Sequence, residues 1–174
     1  MLSIQDLWTI SQNIPEDKKI MFYKRDRQLF GFLSNFFICD VFIDGYLYPH
    51  TEMYYQEKKS FQFEYTSLLR SNHKPSHSKY VGDSSTQKHN KSFFKKHPLA
   101  LRYDWSNDRR LEFMKKALYA KFSQNPMLAY ALLLTGDCEL IEDSNTDQFF
   151  GYSNGLGHNH LGKLLMELRE LLLK

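Results

Sequence analysis

The sequence predicts a helix-rich α+β protein with a single domain, and three observations support this fold class. The chain has 174 residues, which is enough for one domain with a buried core. Short segments rich in β-branched and aromatic residues are concentrated in the first third. The later part of the chain instead repeats apolar residues at helical spacing. We therefore expect a small antiparallel sheet in the first third, accompanied mainly by helices.

The expected strands are short. Asp44-Gly45 lies between the apolar triplets Val-Phe-Ile and Tyr-Leu-Tyr, and this dipeptide is a strong signal for a two-residue hairpin turn. A hairpin is therefore expected within residues 40–48. The segments with strand character are residues 20–23, 29–32, 40–48 and 140–141.

The expected helices account for most of the chain. Pro126 suits the first turn of a helix, and Gly136 suits the position just after its end. Pro, Gly, Ser and His predict a loop at residues 72–86. The segments with helical character are residues 3–13, 51–69, 108–122, 127–134 and 161–172. We interpret residues 1–18 as an N-terminal helical extension and residues 19–174 as the domain itself.

The composition favours a soluble, cytoplasmic protein. Hydrophobic residues make up 42% of the chain, which is typical of a globular protein and not of a disordered one. Cys39 and Cys138 belong to no Cys/His cluster, so a secreted disulfide framework is not expected. The N-terminus lacks the basic residues of a signal peptide, and no apolar run approaches the roughly 20 residues that span a bilayer. No membrane association is therefore expected.

The positive charge is unevenly distributed. The net charge is only +3, yet residues 70–97 contain seven Lys or Arg, four His and the single acid Asp83. Such a basic segment favours a phosphate-bearing partner and possible contact with nucleic acid. A solvated insertion without a binding role is the equal alternative.

The first candidate site lies on the helix that follows Pro49. With Thr51 as its N-cap, Glu52 falls in the first turn, beside the positive end of the helix dipole. Glu52, Tyr55, Gln56 and Lys59 share one helix face, where they could hold a ribose and a water molecule. On pattern alone, a solvated helix face is the favoured alternative.

Two further segments have a polar or glycine-rich pattern. In Gly31-Phe-Leu-Ser-Asn35-Phe, small polar residues end a strand between aromatic residues. Such a strand end could place Asn35 in a pocket and offer aromatic faces to a base, but on pattern alone an ordinary strand end is the favoured alternative. Asp147 precedes Phe150-Gly151 and a loop at residues 155–162, which could present a phosphate to the N-terminus of the last helix. A simple helix-entry turn explains that loop nearly as well, and the loop histidines lack a third ligand for a metal site.

Together, these segments resemble the signature of the NADAR (YbiA-like) family. The first part is Gly-Phe-Leu-Ser-Asn-Phe at 31–36, Asp-Gly at 44–45 and Pro-x-Thr-Glu-x-Tyr-Tyr-Gln-x-x-Lys at 49–59. The middle part is Asp104-Trp105, Met114, Lys121-Phe122, Asn125 and Leu-Leu-Thr-Gly-Asp at 133–137. The last part is Leu-Ile-Glu at 140–142, Asp147, Gly151, Gly-x-Asn-x-Leu-Gly at 157–162 and Leu-Met-x-Leu-Arg at 165–169. The resemblance covers residues 20–172 in order.

Two positions depart from the family pattern. The residue after Glu52, commonly His, is Met53, and the aromatic residue before Gly151, commonly Trp, is Phe150. Both changes remove an N–H donor while keeping bulk, so they bear on the exact substrate more than on the reaction class.

The resemblance implies a single YbiA-like domain with N-glycosidase activity and no cofactor. Its members split phosphoribosylamino-pyrimidine intermediates of riboflavin synthesis and release ribose 5-phosphate, or remove ADP-ribose from guanine. The implied partner is thus a phosphorylated ribose compound or an ADP-ribosylated guanine in a nucleotide or nucleic acid. A non-enzymatic module that senses ADP-ribose is a further alternative.

The resemblance also assigns roles to individual residues. Glu52 and Asp147 are the expected catalytic carboxylates, with Glu52 as the base or the stabiliser of the ribosyl cation. The other expected site residues bind the substrate. They are Gly31, Asn35, Tyr55, Gln56, Lys59, Trp105, Phe150, Gly151 and Asn159.

Overall fold

A computed structural model describes residues 2–23, 29–83 and 100–174 of the chain. These residues form a mixed α/β fold with seven α-helices and three short strand pairs, which confirms the helix-rich fold class. The helices are α1 (Ile4–Gln12), α2 (Thr51–Glu57), α3 (Phe63–Arg70), α4 (Pro75–Gly82), α5 (Asn107–Ser123), α6 (Pro126–Leu134) and α7 (His160–Leu172). The strands are β1 (Lys19–Phe22), β2 (Val41–Ile43), β3 (Tyr46–Tyr48), β4 (Glu139–Glu142), β5 (Tyr152–Ser153) and β6 (Leu156–Gly157).

The predicted hairpin is present. Strands β2 and β3 pair antiparallel, with Ile43 opposite Tyr46. Asp44 and Gly45 both have positive φ, at 54° and 80°, as a two-residue hairpin turn requires.

The sheet is not confined to the first third. Strand β1 pairs in parallel with β4, and Phe22 lies opposite Glu142. A parallel pair needs a long connection, so no local turn signal announces it. The predicted strand at 29–32 is wrong, because Gly31–Leu33 form a 3₁₀ turn. The buried ammonium of Lys121 binds the carbonyl of Phe32, which gives this backbone a partner outside any strand.

The single helix predicted for residues 51–69 is two helices. Helix α2 ends at Glu57, and the Ser60 hydroxyl accepts the N–H of Gln62 in the bend before α3. The loop predicted at 72–86 instead contains α4, which Pro75 begins in the first-turn position that suits proline. Residues 84–86 lie outside the described ranges.

The core lies between the helices and the β1–β4 pair. Helix α5 packs on α2 and α7, and α7 also packs on β4. Helix α1 contributes to the same core through Leu7 and Ile10. In the described part of the chain, no helix is both long and apolar enough to cross a membrane.

Candidate active site

A cavity of about 370 Å³ lies where the 31–36 turn, α2, α4 and the segment after β4 meet. Six of the predicted site residues line it: Asn35, Glu52, Tyr55, Gln56, Asp147 and Phe150. These six side chains come from three parts of the chain that are far apart in sequence: the 31–36 turn, α2 and the segment after β4. The lining residues that were not predicted as site residues include Lys79, Tyr80, Ser144 and Glu142, although Glu142 belongs to the Leu-Ile-Glu part of the family signature.

Glu52 lies in the cavity wall and not on a solvated surface. Its exposed fraction is 5%, and every residue of α2 is buried, so the solvated-face interpretation is wrong. Gln56, one turn later, donates a hydrogen bond of 2.7 Å from Nε2 to Glu52 Oε1. The carboxylate is therefore oriented by its own helix.

The 31–36 turn joins α2 through Asn35. The Asn35 carbonyl accepts the N–H of Glu52 at 3.2 Å, and its Oδ1 accepts the Thr51 hydroxyl at 3.0 Å. Thr51 is thus not the N-cap that the sequence suggested. The His50 ring caps the helix instead, because its Nδ1 accepts the N–H of Met53.

Asp147 holds the turn that carries Phe150. Its Oδ1 accepts the backbone N–H groups of Phe149 and Phe150 at 3.1 and 3.0 Å. Its Oδ2 lies 3.7 Å from the ammonium of Lys79. One oxygen of Asp147 therefore shapes the turn, and the other faces a cation at the cavity.

Lys79 lies in the basic segment at residues 70–97, but it was not predicted as a site residue. Burial tends to lower the pKa of Lys79, but Glu52, Asp147 and Asp83 outweigh it and the pKa is raised. Helix α4 was predicted as a loop, so its orientation toward α2 was not foreseeable. Residues 84–97 of the basic segment lie outside the described residues.

Glu142 is a further carboxyl group at the cavity, beside Glu52, Asp147 and Asp83. Its backbone N–H donates to Asn159 Oδ1 at 3.1 Å, while Asn159 Nδ2 donates to the carbonyl of Leu140. Burial, followed by the charges of Asp147 and Glu52, raises the pKa of Glu142 to about 8. Asn159, a predicted substrate residue, thus holds β4 and does not line the cavity.

Four more predicted residues lie outside the cavity lining: Lys59, Trp105, Gly31 and Gly151. Lys59 donates from Nζ to the carbonyl of Gly82 at 2.9 Å, and burial lowers the pKa of Lys59 to about 8. Trp105 packs behind Tyr55, with ring centroids 5.8 Å apart. Gly31 begins the 3₁₀ turn.

At Gly151, neighbouring atoms lie too close to the backbone to leave room for a side chain. A Cβ atom there would lie 2.6 Å from Ser144 Cβ and 2.8 Å from the Asp147 carbonyl oxygen. The 155–162 loop, all of which the structure describes, contributes no residue to the cavity lining. The predicted phosphate position at the start of α7 is therefore separate from the cavity.

The two departures from the family pattern lie in different environments. Met53 is fully buried in a hydrophobic cluster with Val41 and Tyr48 and does not line the cavity. Phe150 lines the cavity and contacts Tyr55 edge-on, with ring centroids 5.3 Å apart. Of the two, Phe150 is the one in position to affect substrate contacts.

No group of three His, Cys, Asp or Glu side chains in the described ranges has the arrangement to hold a metal ion. His158 and His160 therefore belong to no such group, and their rings stack with centroids 5.5 Å apart.

Comparisons with known proteins place this site in a family. The model of the NADAR domain matches residues 21–173. N-glycosidase YbiA of Shigella sonnei is 33% identical over 162 residues, with 92% of each chain covered. An N-glycosidase of Nostoc punctiforme is 34% identical, with 87% of this chain and 90% of that protein covered.

A riboflavin biosynthesis protein of Vibrio vulnificus is 36% identical over 165 residues, but this chain spans only 41% of its length. The NMR structure of the Escherichia coli protein YbiA is similar with a TM-score of 0.74 and 31% identity, covering 93% of this chain and 89% of that one. The chain therefore belongs to the NADAR domain family.

Proposed function

We propose that this protein hydrolyses the ribose–nitrogen bond of a phosphoribosylamino-pyrimidine of the kind used in riboflavin synthesis, releasing ribose 5-phosphate and the amino-pyrimidine. The protein is a hydrolase acting on N-glycosyl bonds, as its family and its N-glycosidase relatives show. The more specific part of the proposal is that the substrate is a riboflavin intermediate, and the name of the Vibrio vulnificus relative supports it. The observation that carries the proposal is the buried Glu52 carboxylate, oriented by Gln56 in the cavity wall.

The chemistry of the bond explains the need for such a carboxylate. Cleavage between ribose C1 and nitrogen passes through an oxocarbenium-like cation, which a preoriented negative group stabilises. The hydrogen bond from Gln56 fixes one oxygen of Glu52 and leaves the other available to the cavity. Glu52 is therefore suited to accept a proton from water that attacks C1.

Lys79 supports a phosphorylated substrate. Its side chain is 40% exposed, and the pair with Asp147 is long at 3.7 Å, so the ammonium retains donors for another anion. Lysine is a common ligand of phosphate groups. We assign Lys79 to the 5-phosphate in place of Lys59, whose ammonium is engaged by the Gly82 carbonyl.

The size and walls of the cavity support a small metabolite. A volume of about 370 Å³ in the described residues is near the lower end of the roughly 300–1,000 Å³ found for small-molecule sites. Tyr55 and Phe150 provide an aromatic wall against which a pyrimidine ring can pack.

The test is product analysis on two substrates, a phosphoribosylamino-pyrimidine and an oligonucleotide carrying ADP-ribosylated guanine. We expect ribose 5-phosphate from the first, with turnover that varies little between low and high salt. Turnover of the oligonucleotide alone, falling steeply with salt, would instead support ADP-ribosyl-guanine hydrolysis. Tight binding of ADP-ribose without product from either substrate would support the sensor alternative.

A further inference from the structure

We propose that Glu142 is the general acid of this reaction and donates a proton to the nitrogen that leaves ribose. The inference rests on the proposed function, because it assigns a second catalytic group to the same bond cleavage. It concerns a residue at the end of β4, outside the pair of carboxylates that the sequence indicated.

The backbone holds Glu142 firmly at the cavity. Its Cα pairs with Phe22 across the parallel strands, and its N–H is bound by the side chain of Asn159. The Glu142 carbonyl accepts the N–H of Ser144 at 2.9 Å, which begins the turn toward Asp147. The side chain thus projects from a fixed strand end into the cavity wall.

Hydrogen bonds distinguish Glu142 from Glu52 and Asp147, two of the other carboxyl groups at the cavity. Asp147 Oδ1 already accepts two backbone N–H groups, and Glu52 Oε1 accepts the Gln56 amide. Glu142 Oε2 is fully buried and has no hydrogen-bond partner among the described residues. A buried carboxyl oxygen without a donor is costly to ionise and suits a protonated group.

The surrounding charges favour the same assignment. The groups that act on Glu142 are Glu52 on α2, Asp147 in the following turn and Lys79 on α4. Burial is the largest effect, the two acids add to it, and Lys79 opposes it, so the pKa rises to about 8. Glu142 therefore keeps its proton near neutral pH, as a general acid must.

The proton balance of the reaction closes with these two groups. As the C1–N bond breaks, its electron pair stays on nitrogen, and that nitrogen takes the proton of Glu142. Water forms the new C–O bond at C1 and loses its proton to Glu52. The net reaction adds one water, giving the free amine and the ribose hydroxyl, and a proton passing from Glu52 to Glu142 restores the enzyme.

The experiment compares Glu142→Gln with the wild type on two leaving groups. One substrate is the phosphoribosylamino-pyrimidine, and the other is 4-nitrophenyl riboside 5-phosphate, whose phenolate leaves without protonation. We expect kcat of the variant to fall by about 10²–10⁴-fold on the first substrate and by only a few-fold on the second. Glu52→Gln should lose activity on both, because both need water activation.

Further variants separate a catalytic role from a structural one. Glu139→Gln, which alters an exposed carboxyl of the same strand, should match the wild type. Glu142→Asp retains an acid and should keep part of the activity together with the wild-type decline above about pH 8, a decline that Glu142→Gln should lack. Equal losses of Glu142→Gln on both substrates, or none on the first, would overturn the assignment. A wild-type protein that cleaves neither substrate would instead refute the proposed function.

Discussion

The side-chain amide of Gln56 donates a 2.7 Å hydrogen bond to Glu52, and Gly82 of α4 lies directly against the other end of that amide. Gln56 and Glu52 are 1% and 5% exposed, so neither group exchanges this bond freely for water. A Cβ atom at position 82 would overlap Gln56 Oε1. The absence of a side chain at Gly82 is thus what allows Gln56 to orient the Glu52 carboxylate.

Gly82→Ala should disable Glu52 without changing its chemistry. The added methyl group must displace the Gln56 amide, which weakens the hydrogen bond that fixes Glu52. We expect kcat to fall by up to about 10²-fold, the effect of a misplaced catalytic group. The free energy of unfolding should fall by about 1–3 kcal/mol, as in other overpacked cores, which urea unfolding would measure.

The double variant Gly82→Ala, Gln56→Ala provides the control. Truncating Gln56 makes room for the new methyl group, so the double variant should be more stable than the sum of the single changes predicts. Its activity should stay as low as that of Gln56→Ala alone. Strict additivity of the unfolding free energies would mean that the two side chains do not interact.

Glu52→Gln should abolish most turnover while the protein remains folded. The new amide oxygen can still accept the hydrogen bond of Gln56, but it cannot take a proton from water. We expect kcat to fall by about 10²–10⁴-fold with a nearly unchanged melting temperature. Glu64→Gln, in the exposed first turn of α3, is the matched control and should retain wild-type kcat. Near-full turnover of Glu52→Gln would remove Glu52 from this role.

Local sequence patterns correctly predicted the elements that depend on interactions between residues close together in the chain. The Asp44-Gly45 turn formed as expected, and α5, α6 and α7 lie within about a residue or two of their predicted bounds. The prediction of a single helix for residues 51–69 was wrong because contacts between α2 and α3 decide where the chain bends. The Tyr65 hydroxyl binds the Gln56 carbonyl, and Arg70 pairs with Glu57, so α3 folds back toward α2.

The site was predictable only in part for the same reason. Motif resemblance located Glu52 and Asp147, since they recur at fixed places in the family signature. Lys79 lies in a segment with no helical pattern, and Glu142 reaches the cavity through a parallel pairing with β1 that joins residues far apart in sequence. Shifted pKa values of groups that line one cavity identify both residues as site candidates, and only the folded structure brings these groups together.

Lys79→Met should weaken binding of the phosphate. Losing a charge-assisted contact of this kind costs about 1.5–3 kcal/mol, so KM for the phosphorylated substrate should rise by about 10- to 100-fold. KM for the same riboside without its 5-phosphate should not change, because that compound makes no such contact. Lys74→Met, on the exposed residue that precedes α4, is the control. An equal rise for both substrates would assign Lys79 to another part of the ligand.

Lys121→Met should destabilise the 31–36 turn. The Lys121 side chain is fully buried and donates to the carbonyls of Phe32 and Ser34 at 2.6 and 2.8 Å. Methionine keeps the bulk but leaves both carbonyls without their donor, so we expect a loss of about 2–4 kcal/mol in the free energy of unfolding. Lys115→Met, on an exposed residue of the same helix, should change it by less than about 0.5 kcal/mol.

The pH dependence of stability provides a second measurement on Lys121. Burial lowers its pKa from 10.5 to about 8, so the unfolded chain binds more protons than the folded one between these values. The wild type should therefore gain stability relative to Lys121→Met as the pH rises from about 8 to 10.5. Parallel stability curves over this range would show that Lys121 titrates alike in both states.

Glu142 should make an opposite contribution at lower pH. Its pKa is raised from 4.5 to about 8, so the folded protein keeps this proton in a range where the unfolded chain has lost it. Stability from this group is fully present below about pH 4.5 and declines as the pH rises to about 8. The measurement is the difference in melting temperature between the wild type and Glu142→Gln, which isolates the contribution of this group. We expect the wild type to lose stability relative to the variant across this window. Curves that stay parallel would mean that Glu142 is already ionised in the folded protein, and would thereby also contradict its role as the general acid.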